Sequence, residues 1–65
     1  MAISTEQAKY TIVENAGYVG ECDVESHPSY WRALDRMREI YTPDEIDDLH
    51  VDIALDGPDG RTYEV

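Results

Sequence analysis

Hydrophobic and polar residues alternate along the first part of the chain, as they do in a β-strand that turns one face to a core. A run rich in β-branched and aromatic residues predicts a first strand over about residues 8 to 14. Asn15-Ala16-Gly17 then provides turn chemistry, and a second alternating run predicts a strand over about residues 18 to 25. We expect these two strands to form a hairpin.

The middle of the chain has a helical period instead. A first helix that ends near residue 41 is predicted by apolar residues that recur every three or four positions: Tyr30, Leu34, Met37 and Tyr41. Thr42-Pro43-Asp44-Glu45 follows with the form of a capping box, in which threonine is the cap and glutamate is the third helical residue. It predicts a second, short helix over about residues 43 to 49.

Alternation returns after the second helix. Val51, Ile53 and Leu55 alternate with Asp52, Ala54 and Asp56, which predicts a third strand with clearly separated inward and outward faces. The turn sequence Gly57-Pro58-Asp59-Gly60 comes next. A fourth strand is then predicted from Arg61 to Val65, with Tyr63 and Val65 inward and Thr62 and Glu64 outward.

The predicted order of elements is β-β-α-α-β-β. We therefore expect an α+β fold of two layers, in which a four-stranded, largely antiparallel sheet packs on one longer and one short helix. Sixty-five residues provide one modest core, so residues 1–65 are expected to form a single domain. The order of the strands in the sheet is left open by the pattern.

Composition limits the chemistry of the chain. With a single cysteine, Cys22, no intrachain disulfide can form, and the positions of Cys22, His27 and His50 do not have the spacing of a zinc site. Acidic neighbours disfavour the thiolate, so we expect Cys22 to be buried and structural. We predict no catalytic residue, no metal site and no cofactor, and hence a protein that is not an enzyme.

The charge of the chain indicates its partners. Fifteen Asp and Glu residues against five Lys and Arg give a formal net charge of −10. Such a field repels nucleic acids and anionic membranes and attracts basic protein surfaces. No apolar run approaches the roughly 20 residues of a membrane span. We therefore predict a cytoplasmic monomer that binds a basic protein surface and makes no direct contact with nucleic acid or membrane.

The acidic residues are concentrated in two places. The outward face of the predicted sheet would carry a row of carboxylates from Glu21, Asp23, Glu25, Asp52, Asp56 and Glu64. The stretch from Thr42 to Gly60 contains no Lys or Arg. Negative charge near the end of the short helix also opposes the helix dipole, so folding does not explain it. The predicted partner-binding residues are Glu21, Asp23, Glu25, Asp44, Glu45, Asp47, Asp48, Asp52, Asp56 and Glu64.

In size and in charge over the whole chain, the sequence resembles the small acidic DNA mimics that phages encode, including anti-CRISPR and anti-restriction inhibitors. The resemblance implies stoichiometric occlusion of a DNA-binding groove on a nucleoprotein complex, with a type I Cascade-like complex as a natural target. It also implies that the protein acts in the cytosol of a host cell.

Two alternatives stay open. Salt-adapted proteins of halophiles carry excess Asp and Glu with few lysines, and this chain has one lysine and four arginines, so the acidity could be environmental and the function that of a small interaction or regulatory module. An antitoxin-like partner that neutralises one basic protein would differ from a DNA mimic only in its target.

Overall fold

The computed structural model describes residues 9–64, which form one four-stranded antiparallel sheet and two helices. The elements follow the predicted order: β1 (Lys9–Glu14), β2 (Cys22–His27), α1 (Tyr30–Ile40), α2 (Pro43–Asp48), β3 (Asp52–Gly57) and β4 (Gly60–Tyr63). The α+β fold class is confirmed. Within residues 9–64, neither helix has the length and apolar character required to cross a membrane.

The strands lie in the order β2-β1-β3-β4, so β1 and β3 are central and β2 and β4 are edges. Ile12 of β1 pairs with Ile53 of β3, and both side chains lie on the face that packs against α1. Alternation places Thr11, Val13 and Ala54 on the opposite face, which we call the second face. All three are also buried, because a central strand has neighbours on both sides.

The core lies between the sheet and α1. It is a cluster of six buried residues, which are Ile12, Ala33, Met37, Tyr41, Val51 and Ile53. At its rim the hydroxyl of Tyr41 donates a hydrogen bond of 2.5 Å to Oε2 of Glu14. Burial and the adjacent Glu14 carboxylate raise the pKa of Tyr41 to about 12, so its hydroxyl stays protonated at neutral pH.

The second strand begins later than its pattern predicted. It starts at Cys22 instead of residue 18, because three residues before it, Asn15, Gly17 and Gly20, have positive φ angles that interrupt an extended chain. Two turn hydrogen bonds hold this loop, from Tyr18 N to Asn15 O and from Glu21 N to Tyr18 O. Cys22 is exposed at the strand's start, so the expectation that it is buried was wrong.

A β-bulge changes which face the acidic residues of β2 occupy. Asp23 pairs with Val13, but Glu25 pairs with Ile12, so Val24 is the extra residue between them. Asp23 therefore lies on the second face, whereas Glu25 lies on the face toward α1. The prediction that both carboxylates share one outward face was wrong, because simple alternation does not reveal a bulge.

The faces of β4 are also the reverse of the prediction. Tyr63 pairs with Ala54 and so lies on the second face, while Thr62 pairs with Leu55 on the helix side. Glu64, whose N–H donates to Ile53 O at 3.1 Å, follows Tyr63 and is directed by alternation toward the helix side, where it is exposed. The prediction for Val65 lies outside the described residues.

Candidate functional site

Helix α2 carries four exposed carboxylates in six residues. They belong to Asp44, Glu45, Asp47 and Asp48, which we call the α2 acids. No Lys or Arg occurs in the sequence between residues 42 and 60. Of the predicted partner-binding residues, these four form the compact group that has no basic side chain among its sequence neighbours.

The sequence forms this helix through its first residues. The side chain of Thr42 accepts a hydrogen bond of 3.2 Å from the backbone N–H of Glu45, and the Glu45 carboxylate accepts one of 2.9 Å from the N–H of Thr42. This is the predicted capping box, and Pro43 occupies the first helical position, where its missing N–H is not needed. Ile46 packs against the core and directs its neighbours outward.

The far end of α2 is joined to the loop between β1 and β2. The backbone N–H groups of Asn15 and Ala16 donate to the carbonyls of Leu49 and His50 at 2.8 and 3.0 Å. The N–H of Val51 donates to Ile46 O at 2.9 Å, and His50 adopts a φ of 50° at the turn. These hydrogen bonds engage carbonyl groups that would otherwise be unsatisfied at the end of the helix. The helix that carries the α2 acids is therefore held in place by the loop between β1 and β2.

The charges of α2 match its dipole at one end only. Asp44 and Glu45 lie in the first turn, where negative charge is favourable, but Asp47 and Asp48 lie in the last turn, which has no basic residue. Each unfavourable charge near a helix C-terminus costs about 0.3 to 1 kcal/mol when exposed. Folding alone therefore does not account for the second pair of acids.

Three other predicted acids form a cluster around Arg61. The guanidinium of Arg61 contacts Asp56 at 2.5 and 3.0 Å, Glu21 at 2.7 Å and Asp23 at 2.9 and 3.3 Å. The hydroxyl of Tyr63 donates to the remaining oxygen of Glu21 at 2.5 Å. The expected row of open carboxylates on this face was therefore wrong, because a basic side chain on β4 lies among them.

The Arg61 cluster also alters the ionisation of its members. The Tyr63 hydroxyl, together with the Gly17 N–H and Arg61, holds the pKa of Glu21 below its ordinary value. Hydrogen bonds from Arg61 likewise lower the pKa of Asp23, and its carboxylate partners, led by Asp23, raise that of Arg61. With three carboxyl groups and one guanidinium, the cluster has a formal charge of −2.

These shifts predict how acid affects the free energy of unfolding. A lowered carboxyl pKa adds stability above the pKa of the unfolded chain, and that stability is lost as the pH falls through the folded pKa. For the wild type we expect the loss to begin below about 4.5, the ordinary value for glutamate. In Arg61→Met the three carboxylates repel one another, so the variant should be less stable at pH 7 and should approach the wild type near pH 3.

Urea unfolding followed by circular dichroism between pH 7 and pH 3 measures this convergence. Arg38→Met, which removes an exposed arginine of α1, is the matched control and should keep the wild-type pH profile. If the free energies of unfolding of Arg61→Met and the wild type differed by the same amount at every pH from 7 to 3, the Arg61 cluster would not be a source of pH-dependent stability.

The remaining predicted acids have different surroundings. Glu25 binds Arg36 of α1 through contacts of 3.0 to 3.2 Å, and this pairing, followed by a hydrogen bond with His27, lowers its pKa. Asp52 is half-buried on the second face near the end of α2, and Glu64 is exposed after β4. Neither Glu25 nor Glu64 joins the α2 acids.

The sequence interpretation missed an aromatic groove beside α2. Tyr18, His50 and Tyr63 line an open depression of about 480 Å³, together with Asp47 and Asp52. The rings of Tyr18 and His50 lie 4.7 Å apart. No periodic pattern joins these residues. The sequence did contain one signal for the adjacent cluster, because Arg61 is the only Lys or Arg after Arg38.

The shape of the molecule confines any likeness to DNA to part of its surface. The principal extents are 42 × 25 × 17 Å. Duplex DNA of 42 Å would carry about 25 phosphates at one per roughly 1.7 Å, against fourteen Asp and Glu residues among residues 9–64. The whole molecule is therefore less densely charged than DNA, and the α2 acids are its densest segment.

Among residues 9–64, no group of three or more His, Cys, Asp or Glu side chains is arranged to hold a metal ion. Comparisons with protein-family models, with curated proteins and with solved structures found no match to this chain.

Proposed function

We propose that this protein is a stoichiometric inhibitor whose α2 acids bind a basic, nucleic-acid-binding surface of another protein. The observation that carries the proposal is the set of four exposed carboxylates on a six-residue helix, in a stretch of chain without Lys or Arg. The capping box and the bonds to Asn15 and Ala16 hold this helix in place, so binding does not have to order it.

The negative charge of such a surface increases its rate of association with a basic partner and its selectivity for that partner. A net charge of −10 attracts a basic groove from a distance, and complementary potentials raise the association rate more than they raise affinity. The Arg61 cluster retains two negative charges in excess and so adds to the same field. Its carboxylates are paired with Arg61, however, so they contribute to the electrostatic field without contacting the partner. The contact residues are the α2 acids.

The resemblance to phage-encoded DNA mimics directs the choice of target. A groove that holds duplex DNA is lined by Lys and Arg side chains spaced to meet phosphates. A rigid protein with carboxylates at its surface competes with DNA for those side chains. Unlike DNA, it is not bent or cut by the complex that it occupies. Type I Cascade-like complexes and restriction enzymes are the proposed target classes.

A competition experiment tests the proposal. Fluorescein-labelled duplex DNA is bound to a purified, guide-loaded type I Cascade complex and, separately, to a type I restriction enzyme, and fluorescence anisotropy is followed as this protein is added. We expect DNA to be displaced from one of the two at about one protein per DNA-binding site at 0.15 M salt, and displacement to weaken steeply as salt is raised. DNA that stays bound to both complexes in the presence of a large excess would overturn the proposal.

A further inference from the structure

The groove beside α2 combines aromatic faces with carboxylates. Tyr18 is 59% exposed although His50 lies against its ring at 4.7 Å, so much of the tyrosine remains available for contact. Asp47 on α2 and Asp52 on β3 supply negative charge at the same depression, and Ile46 contributes apolar surface. Among residues 9–64, no Lys or Arg lines this groove.

The adjacent Arg61 cluster shows how this chain accommodates a guanidinium. There, the carboxylates of Glu21, Asp23 and Asp56 surround Arg61, and Tyr63 buttresses one of them through its hydroxyl. Tyr63 also lines the groove, so the two sites share a wall. The groove thus has the same kinds of side chain as the cluster, and no arginine is among the described residues that line it.

We propose that this groove receives one arginine side chain of the basic partner, with the guanidinium on the ring of Tyr18 and its charge facing Asp47 and Asp52. This inference rests on the proposed function, because it assigns an anchor to the surface through which the partner binds. It places the anchor at the end of α2, beside Asp47, which is the α2 acid that lines the groove.

The groove favours arginine over lysine for two physical reasons. A planar guanidinium stacks on an aromatic ring and can also donate in its plane to two carboxylates, whereas an ammonium group is a compact, strongly hydrated charge. The groove offers a ring beside two acids on different elements, and this arrangement suits a flat group with several donors.

The experiment uses N-acetyl-arginine methylamide as the probe and the full chain labelled with ¹⁵N. The corresponding lysine and citrulline derivatives are the comparison probes, since citrulline keeps the shape and removes the charge. We expect saturable shifts of the amide signals of Ala16, Tyr18, Asp47 and His50, with a Kd on the order of millimolar for arginine. Lysine should bind at least about threefold more weakly, and citrulline should not saturate.

Two matched variants locate the site. Tyr18→Ala should weaken arginine binding about fivefold or more, because it removes the stacking ring. Trp31→Ala removes another exposed aromatic side chain, 70% exposed on α1, and should leave the Kd unchanged. Circular dichroism spectra should be the same for both variants and the wild type, which excludes unfolding as the cause.

The outcomes separate this inference from the proposed function. Shifts spread over the acids of α1 and of the turn at Asp59, or equal binding of citrulline, would overturn the arginine groove. If the Tyr18→Ala variant displaced DNA from the target as well as the wild type does, the arginine groove would also be overturned. The proposed function would stay intact in that case. Arginine binding confined to the groove, in a protein that displaces DNA from neither complex, would support the groove and contradict the inhibitor function.

Discussion

Replacing Asp44, Asp47 and Asp48 together with asparagine should raise the concentration needed to displace DNA from the target by on the order of 100-fold. Each carboxylate that meets a basic side chain in a partly desolvated interface contributes about 1 kcal/mol, and 1.4 kcal/mol corresponds to a factor of ten. Glu45 is left unchanged, because its carboxylate completes the capping box with Thr42 and its loss would fray α2. The anisotropy competition measures the change.

The matched control neutralises three acids elsewhere on the surface. Asp35→Asn, Glu39→Gln and Asp59→Asn change the net charge by the same amount, and all three residues are exposed outside α2. For this triple variant we expect the concentration needed to displace DNA to rise less than about threefold. The difference between the two triple variants should narrow at high salt, which screens the charges. If both triple variants displaced DNA equally less well than the wild type, binding would follow net charge alone. If both displaced DNA as well as the wild type does, the acidic surface would not be the contact.

Ile53→Ala should remove about half of the free energy of unfolding. The side chain of Ile53 is 1% exposed between β1 and α1, and truncating a buried isoleucine to alanine costs about 2 to 5 kcal/mol. A chain of 65 residues has a free energy of unfolding of roughly 3 to 10 kcal/mol, so the substitution should remove about half of it. Urea titration followed by circular dichroism at 222 nm measures the loss.

Val19→Ala is the control for that experiment. Val19 is fully exposed in the loop before β2, so removing its methyl groups should change the free energy of unfolding by no more than about 0.5 kcal/mol. A loss below 1 kcal/mol for Ile53→Ala would contradict the packing of the sheet against α1 described above.

The aromatic groove and the Arg61 cluster were outside the reach of a pattern search, because their members are far apart in sequence. Tyr63 and Glu21 are separated by 42 residues, and Arg61 and Asp23 by 38. Such contacts depend on the antiparallel pairing of β3 with β4, on the central position of β1 and on the shape of the loop before β2. A single sequence contains no pairwise signal that would join them.

What the sequence determined by itself is the set of local elements and the distribution of charge along the chain. The periods of two and of 3.6 residues predicted all six elements in order, and Thr42 to Glu45 predicted the start of α2, because these features depend on neighbours within a few residues. The absence of Lys and Arg from residues 42 to 60 likewise needed no structure.

Only the tertiary structure decided which of those charges are paired with an arginine and which stay exposed. The bulge at Val24 turned Glu25 toward Arg36, and the register of β4 placed Arg61 among three carboxylates. A one-residue change in pairing moves a side chain to the other face of a sheet, and the energy that selects the register comes from burial of the whole sheet. Of the predicted partner-binding acids, the four of α2 and Glu64 stay exposed outside the arginine pairs described for Arg36 and Arg61.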